Sequence, residues 1–253
     1  MNSIKVIKIG GKVAENEAWL TEFLSEFNQL KGSKILVHGG GVLASNISKQ
    51  LGITTTMIEG RRVTDSKTLD VVTMVYGGLI NKKLVARLQA LGQNAIGLTG
   101  ADLNIIESDK RNPVPVDFGW VGDINTVQVD WLKTFLEQGI VPVLAPLTHD
   151  KKGNMLNTNA DNIAGHLTQE LAIRYEVELI FCFDKPGVLQ EGLVLPKLDR
   201  QKYIALKEER VIVDGMIPKL DLGYHALDNG AKSVKLTHFS ALNDQEKGTT
   251  LEA

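Results

Sequence analysis

The sequence predicts an α/β protein built on an open, largely parallel sheet. Three observations carry that prediction. Short β-branched runs alternate with helix-length stretches, the runs are apolar throughout rather than alternating, and several of them stop on glycine. Strands apolar on both faces need cover on both faces, and parallel sheets flanked by helices supply it.

In chain order, "IKVIKI" (4–9) reads as the first strand and "EAWLTEFLSEFNQL" (17–30) as the first long helix. In that helix Trp19, Leu20, Phe23, Leu24, Phe27 and Leu30 recur at three- and four-residue intervals and form one apolar face. "KILVH" (34–38) is a second strand, followed by the helix "VLASNISKQLG", which Gly52 closes. "TLDVVTMVYGGLINKKLVARLQALG" (68–92) reads as one or two helices ending at Gly92, and "AIGLTG" follows as a strand. "VDWLKTFLEQGIVPVLAPL" (129–147) is a helix, a glycine stop and a buried strand, and "ADNIAGHLTQELAI" is a helix leading into the strand "VELIFCF". Two regions break the rhythm with Pro/Gly punctuation. "TTTMIEGRRVTD" (54–65) and "IIESDKRNPVPVDFGWVGDINTVQ" (105–128) read as β-hairpin insertions into the parallel core.

Composition narrows the function. The 253 residues are 43% hydrophobic, enough for one large domain or two lobes, with a change of lobe near residue 175. The net charge is −2 without a block of like charge, and aromatics are only 6%, so neither a nucleic-acid groove nor a polybasic membrane patch is expected. No apolar run approaches the roughly 20 residues of a bilayer span. The first residues read as strand rather than signal peptide, so a soluble cytoplasmic protein is expected. A single cysteine, Cys182, excludes an internal disulfide and a Cys-cluster metal site, and its strand context reads as a buried, inert thiol.

Five motifs, two of them glycine turns, carry chemistry. "KIGGK" and "VHGGG" drive buried strands into bare-backbone turns at the strands' carboxyl ends, where open parallel sheets bind ligands. Glycines there let backbone N–H groups face an anion, and Lys8 adds an ammonium. Neither the G-x-G-x-x-G nor the G-x-x-x-x-G-K-[ST] pattern is present. In "NTNADNIAGHL", Asn157, Asn159 and Asp161 exceed what a single helix cap needs, which marks a site. "DGMIPKL" carries Lys219, which alone reads as a solvated helix-start residue. "GRRVTD" offers an arginine able to fork onto a carboxylate.

Taken together and in this order, "KIGGK", "VHGGG", "EGRRVTD", "NKKLV", "GLTGAD", "FGWVGDI", "GIVPVLAPL", "NTNADNIAGHL", "DGMIPKL" and "GTTL" resemble the amino acid kinase family over essentially the whole chain. "GRRVTD" with "NTNAD" and "DGMIPK" points to the branch acting on N-acylated glutamate. The resemblance implies an open three-layer αβα sandwich with β-hairpin insertions. Residues 1–175 would form an N-terminal lobe for the acylated amino acid and for dimerisation, and 176–253 a C-terminal lobe for ATP. It implies that Lys8 and Lys219 reach the transferring phosphoryl group from opposite sides, with Asp161 holding both. Gly10, Gly11 and Gly39 would meet phosphate, with Asp184 and Gly187 on the nucleotide side. Gly40, Gly41, Arg62 and Asn157 would grip the substrate, with Arg62 rather than Arg61 on its α-carboxylate. ATP and Mg²⁺ are implied, as are a place in arginine biosynthesis, an acetyl or a bulkier succinyl group on the substrate, and a homodimer. Lys8 lies so near the start that no additional N-terminal helix of the arginine-inhibited hexameric relatives is expected.

The chemistry suits these residue types. A carboxylate is already ionised at neutral pH and needs no general base to attack phosphorus. Sibling kinases for carbamate, UMP, glutamate or aspartate are the alternatives, as is a non-catalytic amino-acid-binding regulator. The sequence departs from the family's usual Thr/Ser-Asp-Val-x-Gly run at "FCFDKPGVL", through Phe183 and Pro186. "NGAKSVKL" (229–236) is a further candidate turn on the nucleotide side, His38 reads as a packing residue and Lys12 as a solvated one.

Overall fold

The computed structural model describes residues 3–58, 60–213 and 215–252, so Glu59 of "EGRRVTD" and Asp214 of "DGMIPKL" lie outside the described residues. Eight strands form the main sheet in the order Lys197–Asp199, Thr249–Glu252, Ser233–His238, Glu176–Phe183, Ser3–Ile9, Ser33–His38, Val141–Leu144, Ala95–Leu98. All neighbouring pairs are parallel except Ser233–His238 with Thr249–Glu252, so the last two strands at one edge run against the rest.

The central strand shows why three layers form. Along Ser3–Ile9, Ile4 and Val6 enter one hydrophobic core while Ile7 and Ile9 enter another, as the two-residue period of a strand demands. The first core is closed by the Asp130–Glu137, Ala160–Ala172, Arg200–Glu208 and Met216–Asp228 helices, and the second by the Gly11–Glu15, Glu17–Gln29 and Gly41–Gln50 helices together with the helical run from Ser66 to Ala90. The predicted apolar face of the Glu17–Gln29 helix buries Leu20, Phe23, Leu24 and Phe27, each worth about 1.5–3 kcal/mol of apolar burial. Its carboxyl end is closed by Lys34, whose buried ammonium donates to the carbonyls of Phe27 (2.6 Å), Leu30 (2.8 Å) and Asn28 (3.3 Å).

The 68–92 stretch is a single helical run whose middle, Thr73–Ile80, is wound as a π-helix between the α-helices Ser66–Val72 and Asn81–Ala90. The two hairpin regions are present. Met57–Ile58 pairs antiparallel with Arg61–Arg62, and Ile106–Lys110 pairs with Gly122–Val127 within a separate four-stranded sheet that includes Leu147–His149 and Met155–Asn157. The "FGWVGD" segment ties these insertions together. The Thr64 N–H donates to the Phe118 carbonyl (2.8 Å), Trp120 N–H to the Thr64 carbonyl (2.7 Å) and Asn157 N–H to the Trp120 carbonyl (2.9 Å). Gly119 makes this seam possible, because a Cβ on it would stand 2.3 Å from the Thr64 carbonyl oxygen.

Candidate active site

Lys8 follows Ile4 and Val6 on the same face of the central strand, at its carboxyl end, and the Ala160–Ala172 helix packs on that face. The helix begins at Asn159, whose side chain accepts from the N–H groups of Asp161 (2.7 Å) and Asn162 (3.2 Å). That cap fixes the first turn and leaves the Asp161 side chain free to point at the sheet. Its Oδ1 lies 2.7 Å from Lys8 Nζ and its Oδ2 3.0 Å from Lys219 Nζ. Lys219 comes from the first turn of the Met216–Asp228 helix and also donates to the Gly215 carbonyl (3.3 Å). The two asparagines and the aspartate of "NTNAD" thus divide the work: Asn159 caps, Asp161 holds two ammonium groups, and Asn157 donates to Thr64 Oγ1 (3.0 Å).

Burial alone would raise the Asp161 carboxyl, but Lys8 and Lys219 outweigh it and hold it at about 2. The carboxylate is therefore ionised at every physiological pH. Burial pulls Lys8 below the ordinary lysine value against the attraction of Asp161, with Lys219 pushing the same way as burial. Two cations on one anion leave a net positive charge in a place sheltered from water, a standing attraction for an incoming anion.

The two glycine turns abut. A Cβ on Gly39 would fall 2.9 Å from the Gly11 nitrogen, and one on Gly11 would fall 3.0 and 3.1 Å from the nitrogens of Gly40 and Gly41. On the other side Gly40 touches the π-helical segment, where a Cβ would meet Ile80 Cδ1 at 2.4 Å and the Tyr76 ring at 2.9 Å. Any side chain here would push the turns apart or fill the space in front of their N–H groups.

These parts line one cleft of about 760 Å³, which brings together Lys8, Gly11, Gly39, Gly40, Gly41, Arg62, Asn157, Asp161 and Lys219. Arg62 is buried and held by its own surroundings: its guanidinium donates to the Gly41 carbonyl (2.7 Å), Ser45 Oγ (2.8 Å) and Thr55 Oγ1 (3.3 Å). Sequence reasoning missed Tyr76 and Arg111, which line the same cleft together with Arg61, the arginine set aside above in favour of Arg62. Tyr76 lies on a helix read only for its periodicity. Arg111 sits in a hairpin loop, where it forks onto the Asp123 carboxylate (3.0 and 3.1 Å from Nε), and no local pattern singled it out. Among the described lining residues there are five Lys or Arg side chains, one carboxylate, and no His, Cys, Ser or Glu. The Thr158 hydroxyl is engaged with Thr148 (2.7 Å). The cleft is built to hold and neutralise anions and offers no side chain suited to act as a general base.

His38 lies behind the turns, fully buried. Burial lowers it to about 4, its Nδ1 donates to the Gly39 carbonyl (2.9 Å), and Nε2 accepts from Asn81 (3.3 Å). It is a neutral packing group, as its setting in the sequence suggested. Cys182 is buried, which pushes its thiol up to about 12.

A model of the amino acid kinase family matches residues 3–238. The chain belongs to the amino acid kinase family. Within the family, an acetylglutamate kinase of Parabacteroides distasonis is 53% identical over 253 residues, covering 98% of this chain and 99% of the relative. One of Methanopyrus kandleri is 35% identical, covering 94% and 96%. Among solved structures, an N-acetylglutamate synthase of Neisseria gonorrhoeae complexed with coenzyme A and N-acetyl-glutamate superposes with a TM-score of 0.86 at 20% identity, over 100% of this chain and 59% of the other. A carbamate kinase of Giardia lamblia bound to AMP-PNP superposes at 0.67 and 14% identity, over 99% and 98%. At these identities the likeness is one of fold.

The remaining family-derived positions lie outside the cleft's lining. Gly10 is the N-cap of the Gly11–Glu15 helix, and its N–H donates to the Cys182 carbonyl (3.2 Å). Asp184 follows the carboxyl end of the Glu176–Phe183 strand, beside the central one, and pairs with Lys12 at 3.0 Å. Lys12 is exposed, in keeping with its reading as a solvated side chain, and this pair adds a contact with the neighbouring strand end. Gly187 is packed inward, since a Cβ would lie 2.7 Å from Thr249 Oγ1. The 229–232 turn of "NGAKSVKL" is at the wrong end to face a nucleotide beside Lys8. It enters Ser233–His238 at Ser233, which pairs with Glu178, whereas the glycine turns follow Ile9, opposite Cys182. The turn therefore lies at the amino edge of the sheet.

Proposed function

We propose that this chain is an acylglutamate kinase, transferring the γ-phosphoryl group of ATP to the side-chain carboxylate of N-acetyl-L-glutamate, or of its N-succinyl counterpart, in arginine biosynthesis. The observation that carries this reading is the cleft itself: a Lys8–Asp161–Lys219 array beside two glycine turns, with no His and no carboxylate other than the lysine-paired Asp161 among the described lining residues. A hydroxyl acceptor would need a proton removed, whereas a carboxylate does not. The acetylglutamate kinase name of the relatives supports the acceptor.

In the reaction a carboxylate oxygen forms the new bond to the γ-phosphorus while the bond to the β,γ-bridging oxygen breaks in line. The products are an acyl phosphate and ADP, and no proton moves. Negative charge spreads over the equatorial oxygens of the transferring group and gathers on the leaving phosphate. Lys8 and Lys219 meet that charge, and Asp161 keeps their ammonium groups in place before substrate arrives. Gly11 offers its N–H group to phosphate and Gly40 and Gly41 theirs to the acyl substrate. The Gly10 and Gly39 N–H groups are committed to the Cys182 and Ile9 carbonyls (3.2 and 3.0 Å), so those two glycines serve the phosphate by leaving room for it. Arg62 and Asn157 take its α-carboxylate, which converts an encounter into an aligned pair. Asp184 and Gly187 shape the nucleotide side.

The protein's own donors suit a Mg²⁺ ion carried on ATP phosphates rather than a protein cage. Among the described residues no cluster of three or more His, Cys, Asp or Glu side chains is poised for a metal, and both Asp161 oxygens are engaged by lysines. Such an ion would neutralise phosphate charge. Residues 1–175 serve the acyl substrate and dimer contact and 176–253 serve ATP, in a cytoplasmic homodimer.

The test is a substrate panel read by ADP release: N-acetyl- and N-succinyl-glutamate, free glutamate, aspartate, carbamate and UMP. The expected result is turnover of an N-acylated glutamate alone. Preference for any other acceptor overturns the assignment.

A further inference from the structure

Arg111 is a cation of the cleft to which the phosphoryl transfer gives no task. Lys8 and Lys219 meet the transferring group and Arg62 the α-carboxylate, whereas Arg111 enters from the hairpin insertion, directly after the Ile106–Lys110 strand. Its backbone N–H donates to the Val121 carbonyl (2.8 Å), and Val121 in turn forms a parallel bridge with Asn157. Arg111 thus belongs to the same seam as Asn157.

The guanidinium is held before any ligand arrives. Its Nε and Nη2 fork onto the Asp123 carboxylate, with Nε at 3.0 and 3.1 Å from the two oxygens, and the Phe118 ring lies 5.4 Å from Cζ. A guanidinium carries five N–H donors, and this side-on fork leaves its end unused. Nη1 has no hydrogen-bond partner among the described residues, so the end of the group can fork onto a second carboxylate. Asp123 is not among the described lining residues, and its side chain is 51% exposed against 17% for Arg111. Water therefore screens the carboxylate better than the guanidinium, and the cleft sees a positive charge.

The proposed substrate fixes what stands near that charge. In an N-acylated glutamate the acyl group hangs on the α-nitrogen, which is bonded to the same carbon as the α-carboxylate. With that carboxylate on Arg62 and Asn157 and the side-chain carboxylate at Lys8 and Lys219, the acyl group is the branch left to run along the Asn157 seam. An acetyl group ends there in a methyl, which gives Arg111 nothing to bond. A succinyl group ends in a carboxylate, ionised at neutral pH.

We propose that Arg111 determines acyl-group specificity by forking onto a terminal carboxylate of the acyl group, so that the enzyme prefers N-succinyl- to N-acetyl-glutamate. The proposal rests on the acylglutamate kinase reading and narrows its substrate. Asp123 and Phe118 hold the guanidinium in place for that contact.

The experiment measures kcat/KM by ADP release for N-acetyl-, N-succinyl- and N-succinamoyl-L-glutamate, the last matching succinyl in size but ending in a neutral amide. The wild type should favour N-succinyl-glutamate over both others by about 10- to 100-fold, the scale of one charge-assisted fork. In Arg111→Gln that preference should shrink to within about threefold, and Arg111→Lys, which keeps the charge but not the fork, should fall between. A structural role alone would lower stability and slow all three acceptors alike, leaving the ratios unmoved. The wild-type comparison needs no variant, so it decides the matter even if Arg111→Gln does not fold. A wild type that prefers N-acetyl-glutamate, or that treats the succinyl and succinamoyl compounds alike, overturns the proposal and leaves the kinase reading standing. Ratios unchanged in both variants overturn it as well. Turnover of no acylglutamate at all overturns the kinase reading and the proposal together.

Discussion

Asp161 binds a lysine on each carboxylate oxygen, so its replacement by Asn does more than delete a contact. It removes the charge that holds two ammonium groups side by side and leaves one amide oxygen in its place, in a site that must receive both already aligned. Asp161→Asn should lower kcat by about 10²–10³-fold, the scale of losing a preorganised charge-stabilising group, and change the KM for either substrate far less. Steady-state kinetics check this, and a preserved kcat contradicts the role. The same carboxylate makes stability depend on acid. Its folded value of about 2 lies below its ordinary 3.8, so its contribution is complete above about pH 4 and is lost as pH falls through about 2. Urea unfolding across that window should show the wild type losing stability that Asp161→Asn does not lose. Equal losses would remove the linkage. At this scale the sequence was only partly legible. Asp161, Asn157 and Lys219 stood in motifs, but that one carboxylate would meet both lysines depends on packing between the Ala160–Ala172 and Met216–Asp228 helices.

The elements differ in how plainly they announced themselves. Most strands of the parallel sheet were legible because burial on both faces forces a continuous apolar run, although Ser233–His238, broken by Lys235 and Thr237, was read within a turn. The Glu17–Gln29 helix was legible because its Leu and Phe spacing admits one period. The π-helical winding of Thr73–Ile80 had no local signal; both α and π windings suit "TMVYGGLI", and contact with the Gly40 turn is a tertiary matter. That contact predicts the outcome of adding one methyl group. Gly40→Ala must displace either the turn or the Tyr76 and Ile80 side chains, so the KM for the acyl substrate should rise by about tenfold or more, with overpacking costing about 1–3 kcal/mol. An Ala variant with wild-type KM and melting temperature would show that the turn is not held by this contact. Lys34 tests the opposite case, an element that stabilises without touching the site. Lys34→Met strands three carbonyls at the end of the Glu17–Gln29 helix and should lower stability by about 1–3 kcal/mol with kcat and KM unchanged. A variant as stable as wild type contradicts that reading.

For the whole molecule, the sheet brings remote stretches of sequence to one edge. Lys8, the glycine turns and Asp184 follow neighbouring strand ends, while Arg62 and Asn157 arrive on the hairpin insertions stitched together through Thr64 and Trp120. This assembly was invisible to local reading, which offered 229–236 as a turn beside the nucleotide, where Ser233–His238 is a strand entered from the opposite edge, and left Arg111 unnoticed. The resemblance to the amino acid kinase family, by contrast, was legible end to end. On the proposed function, this cleft makes an acyl phosphate. The most direct test is to incubate the purified protein with Mg·ATP, N-acetyl-L-glutamate and hydroxylamine and to measure hydroxamate against ADP. The expected result is one hydroxamate per ADP, with both abolished together in Lys8→Ala. ADP released without hydroxamate, or neither product with either N-acetyl- or N-succinyl-glutamate, would contradict it.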